Sequence, residues 1–208
     1  MDDSKKTISS YRSKQAVDVY ARKLLPERRP PLRMAFQRFL ENLQPRAKIL
    51  DIGCGTGKDV GYMRSQGYEA FGLDVSEGMV EAASRLHGDF FSCINILESD
   101  FNLSEKFDAV TAIAVLQHIP KSEIREIISG FRILLNDGGH LFIFTKCGDK
   151  NYWDYRLGPE HPRLMICYRL EELLGLIEGG GFECLEHQTF VLPRESRDEE
   201  WMTILARC

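Results

Sequence analysis

Three glycines at alternate positions, Gly53, Gly55 and Gly57, follow the apolar run Lys48 to Ile52 and precede a stretch with helical character. Alternate glycines let a backbone turn sharply and approach a ligand closely, and the helix behind them offers unsatisfied N–H groups. The chemistry is narrowed by the spacing in Asp51-Ile52-Gly53-Cys54-Gly55-Thr56-Gly57. A dinucleotide site reads G-x-G-x-x-G, whereas here the third glycine comes one residue early. No Gly-Lys-Ser/Thr is present for a phosphate loop. Asp51 would repel a pyrophosphate but suits a cationic or hydroxylated ligand. Asp74 closes the next apolar run, seventeen residues beyond Gly57. A carboxylate there can accept hydrogen bonds from both hydroxyls of a ribose. The competing reading is an aspartate that only organises a turn or caps a helix.

The remaining reactive residues are dispersed. Six cysteines, at 54, 93, 147, 167, 184 and 208, form no CxxC pair. Five histidines give no i, i+4 ligand pair, so no metal site is expected. Reduced thiols, the absence of a long apolar run and a polar start predict a cytoplasmic protein with no membrane partner. The net charge of −4 provides no general attraction for nucleic acid, which is not expected as a partner. The charge is uneven, with +7 over residues 1–48 and −11 over the rest. A solvated helical surface accounts for the basic segment more simply than an anion-recruiting arm.

These residues need elements to hold them. Residues 1–45 read as a helical segment: a helix from about Ser13 to Leu25, a break over Pro26 to Pro31, and a helix carrying Leu32, Phe36, Phe39, Leu40 and Leu43. Strands are then expected at Lys48–Ile52, Tyr68–Leu73, residues 91–97, Phe107–Ile113 and His140–Thr145. Helices fall between them: one to about Gln66, one over Ser76–Leu86 capped by Ser76, and one over Ser122–Leu135 ended by Asn136 to Gly139. Such alternation implies a doubly wound α/β fold with a mostly parallel sheet. After a helix near Leu170–Glu178, Phe182–Leu192 and Trp201–Ala206 are joined by a polar loop alone, as in an antiparallel hairpin. The expected organisation is one domain over 1–208, with a helical lid at 1–45 and a Rossmann-like core at 46–208.

Together these motifs resemble the class I (Rossmann-like) S-adenosylmethionine-dependent methyltransferases of the small single-domain type, from about Tyr11 to the final strand. The first motif is matched by Asp51, Gly53, Gly55 and Gly57, the second strand's acid by Asp74, and the Asp-x-Ser-x-x-Met continuation by Asp74, Ser76 and Met79. Phe107-Asp108-x-Val110, Leu116-x-His118-x-Pro120 and Gly138-Gly139 match further on. The resemblance implies a seven-stranded sheet of order 3-2-1-4-5-7-6, strand seven antiparallel, and S-adenosyl-L-methionine as cofactor, leaving S-adenosyl-L-homocysteine. It implies that Cys54, Thr56 and Val75 join the glycines and Asp74 around that cofactor. Met79, Asp100 and Phe101 would meet its adenine, and Ile113 and Ala114 its sulfonium. Tyr11 and Arg12 would meet its carboxylate, with Tyr20 as readily a core aromatic.

The same resemblance puts the acceptor over strands four and five. Candidates are Lys146, Tyr152, Trp153, Tyr155, Arg156 and Tyr168, in or beside the aromatic-rich 147–168 segment. His118 is the candidate general base, or else a structural histidine. Thr111 to Ala114 lacks the Pro-Pro-aromatic sequence of amine-directed nucleobase enzymes. The expected reaction is therefore in-line methyl transfer to a small-molecule acceptor at N, O or S, where the protein mainly aligns reactants and excludes water. The alternatives are a cyclase or lyase acting on the cofactor itself, a binding module without turnover, and methylation of RNA or protein.

Overall fold

The computed structural model describes residues 3–22, 30–98, 103–193 and 198–208. Three helices open the chain: α1 (Asp3–Tyr11), α2 (Lys14–Arg22) and α3 (Pro30–Glu41). Then come β1 (Lys48–Ile52), α4 (Lys58–Ser65), β2 (Glu69–Asp74), α5 (Glu77–His87), β3 (Phe91–Cys93) and β4 (Phe107–Ile113). The second half runs α6 (Ile124–Leu134), β5 (Leu135–Lys146), β6 (Tyr152–Asp154), β7 (Arg163–Met165), α7 (Leu170–Gly179), β8 (Glu183–Leu192) and β9 (Glu199–Arg207).

Seven strands form one sheet in the order β3-β2-β1-β4-β5-β9-β8, and β6 pairs with β7 apart from it. The pairs from β3 to β5 are parallel, whereas β9 runs antiparallel to both β5 and β8. This is the expected topology, with the small β6–β7 hairpin added. The strand order reverses between β1 and β4. At such a switch point the carboxyl ends of neighbouring strands diverge and leave a crevice.

Both faces of the sheet are covered. On one, α6 presents Ile124, Ile127, Ile128, Phe131 and Leu134 at helical spacing, and these join Leu173 and Ile177 of α7 over β4 and β5. On the other, α3 lays Leu32, Phe36, Phe39 and Leu40 against Phe142 and Phe144. The Phe39 and Phe142 rings stack at 5.1 Å. A smaller cluster of Ala16, Met79 and Leu157 joins α2 to α5 and the 147–168 segment.

Several expected boundaries are corrected. Helix α1 had no reading as a separate element. Pro30 and Pro31 do not break a helix but open α3, because the first turn needs no N–H donors from them. The rest of the expected break, and residues 23–25, lie outside the described residues. Asn136 to Gly139 form a bulge inside β5, where the register against β4 jumps from Phe107↔Leu135 to Ala109↔His140. Strand β3 stops at Cys93, earlier than expected. Among the described residues, no helix is long and apolar enough to cross a membrane.

Candidate functional site

At the carboxyl ends of β1, β2 and β4 lies a cavity of about 980 Å³. The glycine turn forms its floor. Gly53, Gly55 and Gly57 all take positive φ, at 72°, 54° and 74°. They serve different ends. A Cβ on Gly53 would come within 2.6 Å of Val115, and one on Gly57 within 2.5 Å of Phe91. These two glycines permit close packing. Gly55 instead faces open space, with no atom within 4 Å of its missing Cβ, and so bares backbone to the cavity.

Asp74 sits at the rim and organises the turn. Its Oδ2 accepts from the Gly55 N–H at 2.9 Å and its Oδ1 from the Ser76 N–H at 2.9 Å. Each oxygen keeps lone-pair capacity toward the cavity, so the turn-forming and ligand-holding readings are compatible. Burial raises the Asp74 pKa, opposed by its backbone hydrogen bonds. Asp51 does not reach the ligand space. Its carboxyl lies 1% exposed beneath the turn and accepts from Thr111 Oγ1 at 2.6 Å. Burial, with the nearby Asp59 charge, raises its pKa well above the usual range. Cys54 lines the cavity, its thiol pushed up by burial and by Asp74.

Around this floor the wall includes Thr56, Val75, Met79, Ile113 and Ala114. Ala114 adopts φ 58°, unusual for a side-chain-bearing residue, while its N–H donates to the Phe144 carbonyl at 2.7 Å. Residues Ile94 to Leu97, past the end of β3, extend the wall toward the sheet edge. Asp100 and Phe101, expected at the adenine, lie outside the described residues. Arg12 is not on the wall: its Nε donates to the Val75 carbonyl at the surface, at 3.3 Å.

Tyr11 and His118 meet over the cavity. Tyr11 Oη and His118 Nε2 are 2.7 Å apart, and His118 Nδ1 lies 3.2 Å from the Leu164 carbonyl. A carbonyl only accepts, so Nδ1 carries the proton and Nε2 takes the hydrogen of Tyr11. Both ring nitrogens are engaged. Burial, then the Arg163 charge, lowers the His118 pKa to about 3. With both ring nitrogens engaged and protonation disfavoured, these surroundings favour the structural reading of His118 over that of a general base.

Arg163, absent from the sequence candidates, joins the parts. Its Nη1 donates to Tyr11 Oη at 2.9 Å and to Tyr20 Oη at 2.6 Å, and its Nη2 to Asp154 Oδ1 at 2.6 Å. Asp154 also pairs with Arg156. Burial disfavours charge on Asp154, but the two arginines outweigh it and hold its pKa low. Of the positions expected to hold an acceptor, only Arg156 reaches the cavity wall. Lys146 is buried and paired with Glu199 at 2.6 Å, burial lowering its pKa to about 8 against that carboxylate's pull. The Tyr168 hydroxyl donates to the Ile119 carbonyl within the core. Tyr152 binds Glu199, Trp153 lies under Lys6, and Tyr155 is an exposed residue of the hairpin loop. Tyr20, Gln117 and Trp201 also line the cavity. Tyr20 reads from the sequence as readily as a core aromatic, and no periodic or motif signal marks Gln117 or Trp201.

A seven-stranded doubly wound sheet with a glycine turn at its switch point and an acid closing the next strand defines a Rossmann-like nucleoside-binding architecture. A family model described as a methyltransferase domain matches residues 25–187, and the chain belongs to that family. Among its relatives, the ubiquinone biosynthesis O-methyltransferase of Acinetobacter baylyi is 30% identical over 122 residues, covering 55% of this chain and 50% of the relative. That of Idiomarina loihiensis is 28% identical over 154 residues, covering 71% and 57%. The chain thus spans about half the length of the curated relatives it matches. The fold is shared with the 1,6-didemethyltoxoflavin-N1-methyltransferase of Burkholderia thailandensis, solved with bound 1,6-didemethyltoxoflavin and S-adenosylhomocysteine, at TM-score 0.72 and 21% identity over 98% and 86% of the two chains. It is also shared with the magnesium protoporphyrin IX methyltransferase of Synechocystis with bound SAM, at TM-score 0.68 and 18% identity over 100% and 97%.

Proposed function

We propose that this protein transfers a methyl group from S-adenosylmethionine to a small-molecule acceptor. The observation that carries the reading is the bare backbone at Gly55 beside the Asp74 carboxylate, in one cavity with the Ile113–Ala114 end of β4. A volume of about 980 Å³ stands at the upper end of the range for ligand pockets, enough for a cofactor and a second small molecule. The bound cofactor would supply an already activated methyl group. The chain's own task is then to fix positions and exclude water. Asp74 holds hydroxyls, Met79, Ile94, Ile96 and Leu97 give an apolar berth, and α1 with α2 roofs the space through Tyr11 and Tyr20. The relatives' names favour oxygen as the methylated atom.

Calorimetric titration with S-adenosylhomocysteine tests this reading. Wild type binds, and Asp74→Ala loses about 2–4 kcal/mol as two charge-assisted hydrogen bonds disappear. Unchanged affinity removes Asp74 from the site, and a turnover product of methylthioadenosine rejects methyl transfer. We also assign α1 and α2 the role of a lid, whereas α3, expected as part of it, packs on the sheet as core. Amide exchange in α1 and α2 should slow on binding S-adenosylhomocysteine. Protection confined to the glycine turn makes the segment an appendage.

A further inference from the structure

One part of the cavity is built differently from the glycine turn. Arg156, Arg163, Trp201 and Leu192 line it. Behind them runs a chain of ion pairs: Lys146 with Glu199 at 2.6 Å, Glu199 with Arg156 at 3.4 Å, Arg156 with Asp154, and Asp154 with Arg163 at 2.6 Å. Among the described residues this chain has three cations and two carboxylates. Elsewhere on the wall Arg22 and Lys58 equal Asp59 and Asp74 in number, so the excess is not relieved there. Arg163 is 4% exposed at its side chain, and its buried Nε has no hydrogen-bond partner. A buried cation without full compensation is costly, and an incoming anion removes that cost.

Two features bear on what kind of anion fits. The Trp201 indole lines the cavity as a rigid apolar border beside the cations, 3% exposed, stacked on Phe144 at 4.4 Å and with the Lys146 ammonium 4.0 Å from its ring centre. Secondly, S-adenosylmethionine brings two cationic groups and one carboxylate, so its binding adds no net negative charge to the cavity.

Resting on the methyl-transfer reading above, we propose that the acceptor is a small oxyacid, a carboxylate or phosphonate on an apolar or aromatic body. Its anionic oxygens meet Arg156 and Arg163, and its body lies along Trp201. Arg156, half exposed and forked, supplies the bidentate face, while Asp154 fixes the two guanidinium groups relative to each other.

The test titrates benzoate, phenylphosphonate and benzamide into the protein by calorimetry, with and without saturating S-adenosylhomocysteine. At least one acid should bind about tenfold or more tighter than benzamide. Arg156→Gln should abolish that preference while S-adenosylhomocysteine affinity stays within about twofold, and Arg156→Lys should restore part of it. Acids that bind wild type no better than benzamide overturn the proposal. So does an Arg156→Gln variant that weakens S-adenosylhomocysteine as much as the acids, since the charge then serves the cofactor's carboxylate. Acid binding by a protein that ignores S-adenosylhomocysteine rejects the cofactor reading and, with it, the acid's role as methyl acceptor, leaving an anion site alone.

Discussion

The two ends of the cavity are made in different ways. The glycine-turn end is local: residues 51–57 and 74–79 build it almost alone, by backbone conformation and one carboxylate. The arginine end is assembled from Tyr11, Tyr20, His118, Asp154, Arg163 and Glu199, which lie on six separate elements and are joined by hydrogen bonds spanning up to 152 residues. A local end tolerates little backbone change but is insulated from the rest of the fold. A distributed end holds only while every contributor docks, so its polar groups double as fasteners for α1, α2 and the hairpin.

The largest effect that sharpens this contrast is expected at Gly57. In Gly57→Val the side chain must enter a left-handed φ of 74° and meet Phe91 and Ala83 at 2.5 and 2.9 Å. Strain and overpacking together should cost about 2–6 kcal/mol of stability or turn geometry. Urea denaturation combined with S-adenosylhomocysteine titration measures it. A folded variant that binds normally would show the turn to be more adaptable than a local end should be.

At the other end, Arg163→Gln removes one partner from a buried pair and leaves Asp154 with Arg156 alone. Breaking such a pair costs about 3–5 kcal/mol, and the loss should appear in global stability rather than in the glycine turn. Asp154→Asn together with Arg163→Gln should recover part of it, because neither residue is then left charged and unpaired. Additive losses from the two changes would mean that the residues act separately and the arginine end is no network.

The same contrast explains what could be read before the structure. Asp51 to Gly57, Asp74, Ser76 and the strand pattern announce themselves through spacing, and the sheet order follows from their alternation with helices. Asp51 shows the limit of that signal: the motif marks the residue, but its carboxyl turns inward to Thr111. Arg163 and Trp201 carry no such mark. Arg163 falls in a short strand after Pro162, and Trp201 in an apolar strand where an indole reads as core. Lys146 and Tyr168, conspicuous for their chemistry, are buried in structural bonds. Helix α1 has weak periodicity of its own, and tertiary bonds hold it: Ser10 Oγ to the Pro162 carbonyl at 2.7 Å, and the Leu164 N–H to Thr7 Oγ1 at 3.0 Å.

The smallest predicted effect probes the seam where α1 meets the short turn after β4. Tyr11→Phe removes the hydrogen that Nε2 of His118 accepts, leaving a buried acceptor unmatched while Arg163 keeps Tyr20. The expected loss is about 1–3 kcal/mol. His118 adds a pH signature to it. The unfolded histidine binds a proton near its ordinary pKa of about 6.5, whereas the folded one resists until about 3. Between those values the unfolded state holds more protons, so stability falls as pH falls, at up to about 1.4 kcal/mol per pH unit. Above about pH 6.5 both states are neutral at this residue and the contribution is flat. His118→Asn should remove this limb of the stability profile, whatever it does to the baseline. Tyr11→Phe should retain a weaker limb, because burial and Arg163, the two main opponents of protonation, remain in place. Denaturant midpoints for the three proteins between pH 4 and 8 give the comparison directly. An unchanged acid limb in His118→Asn would show that other groups govern it, and that the Tyr11–His118 contact does not keep this ring neutral beneath the helix.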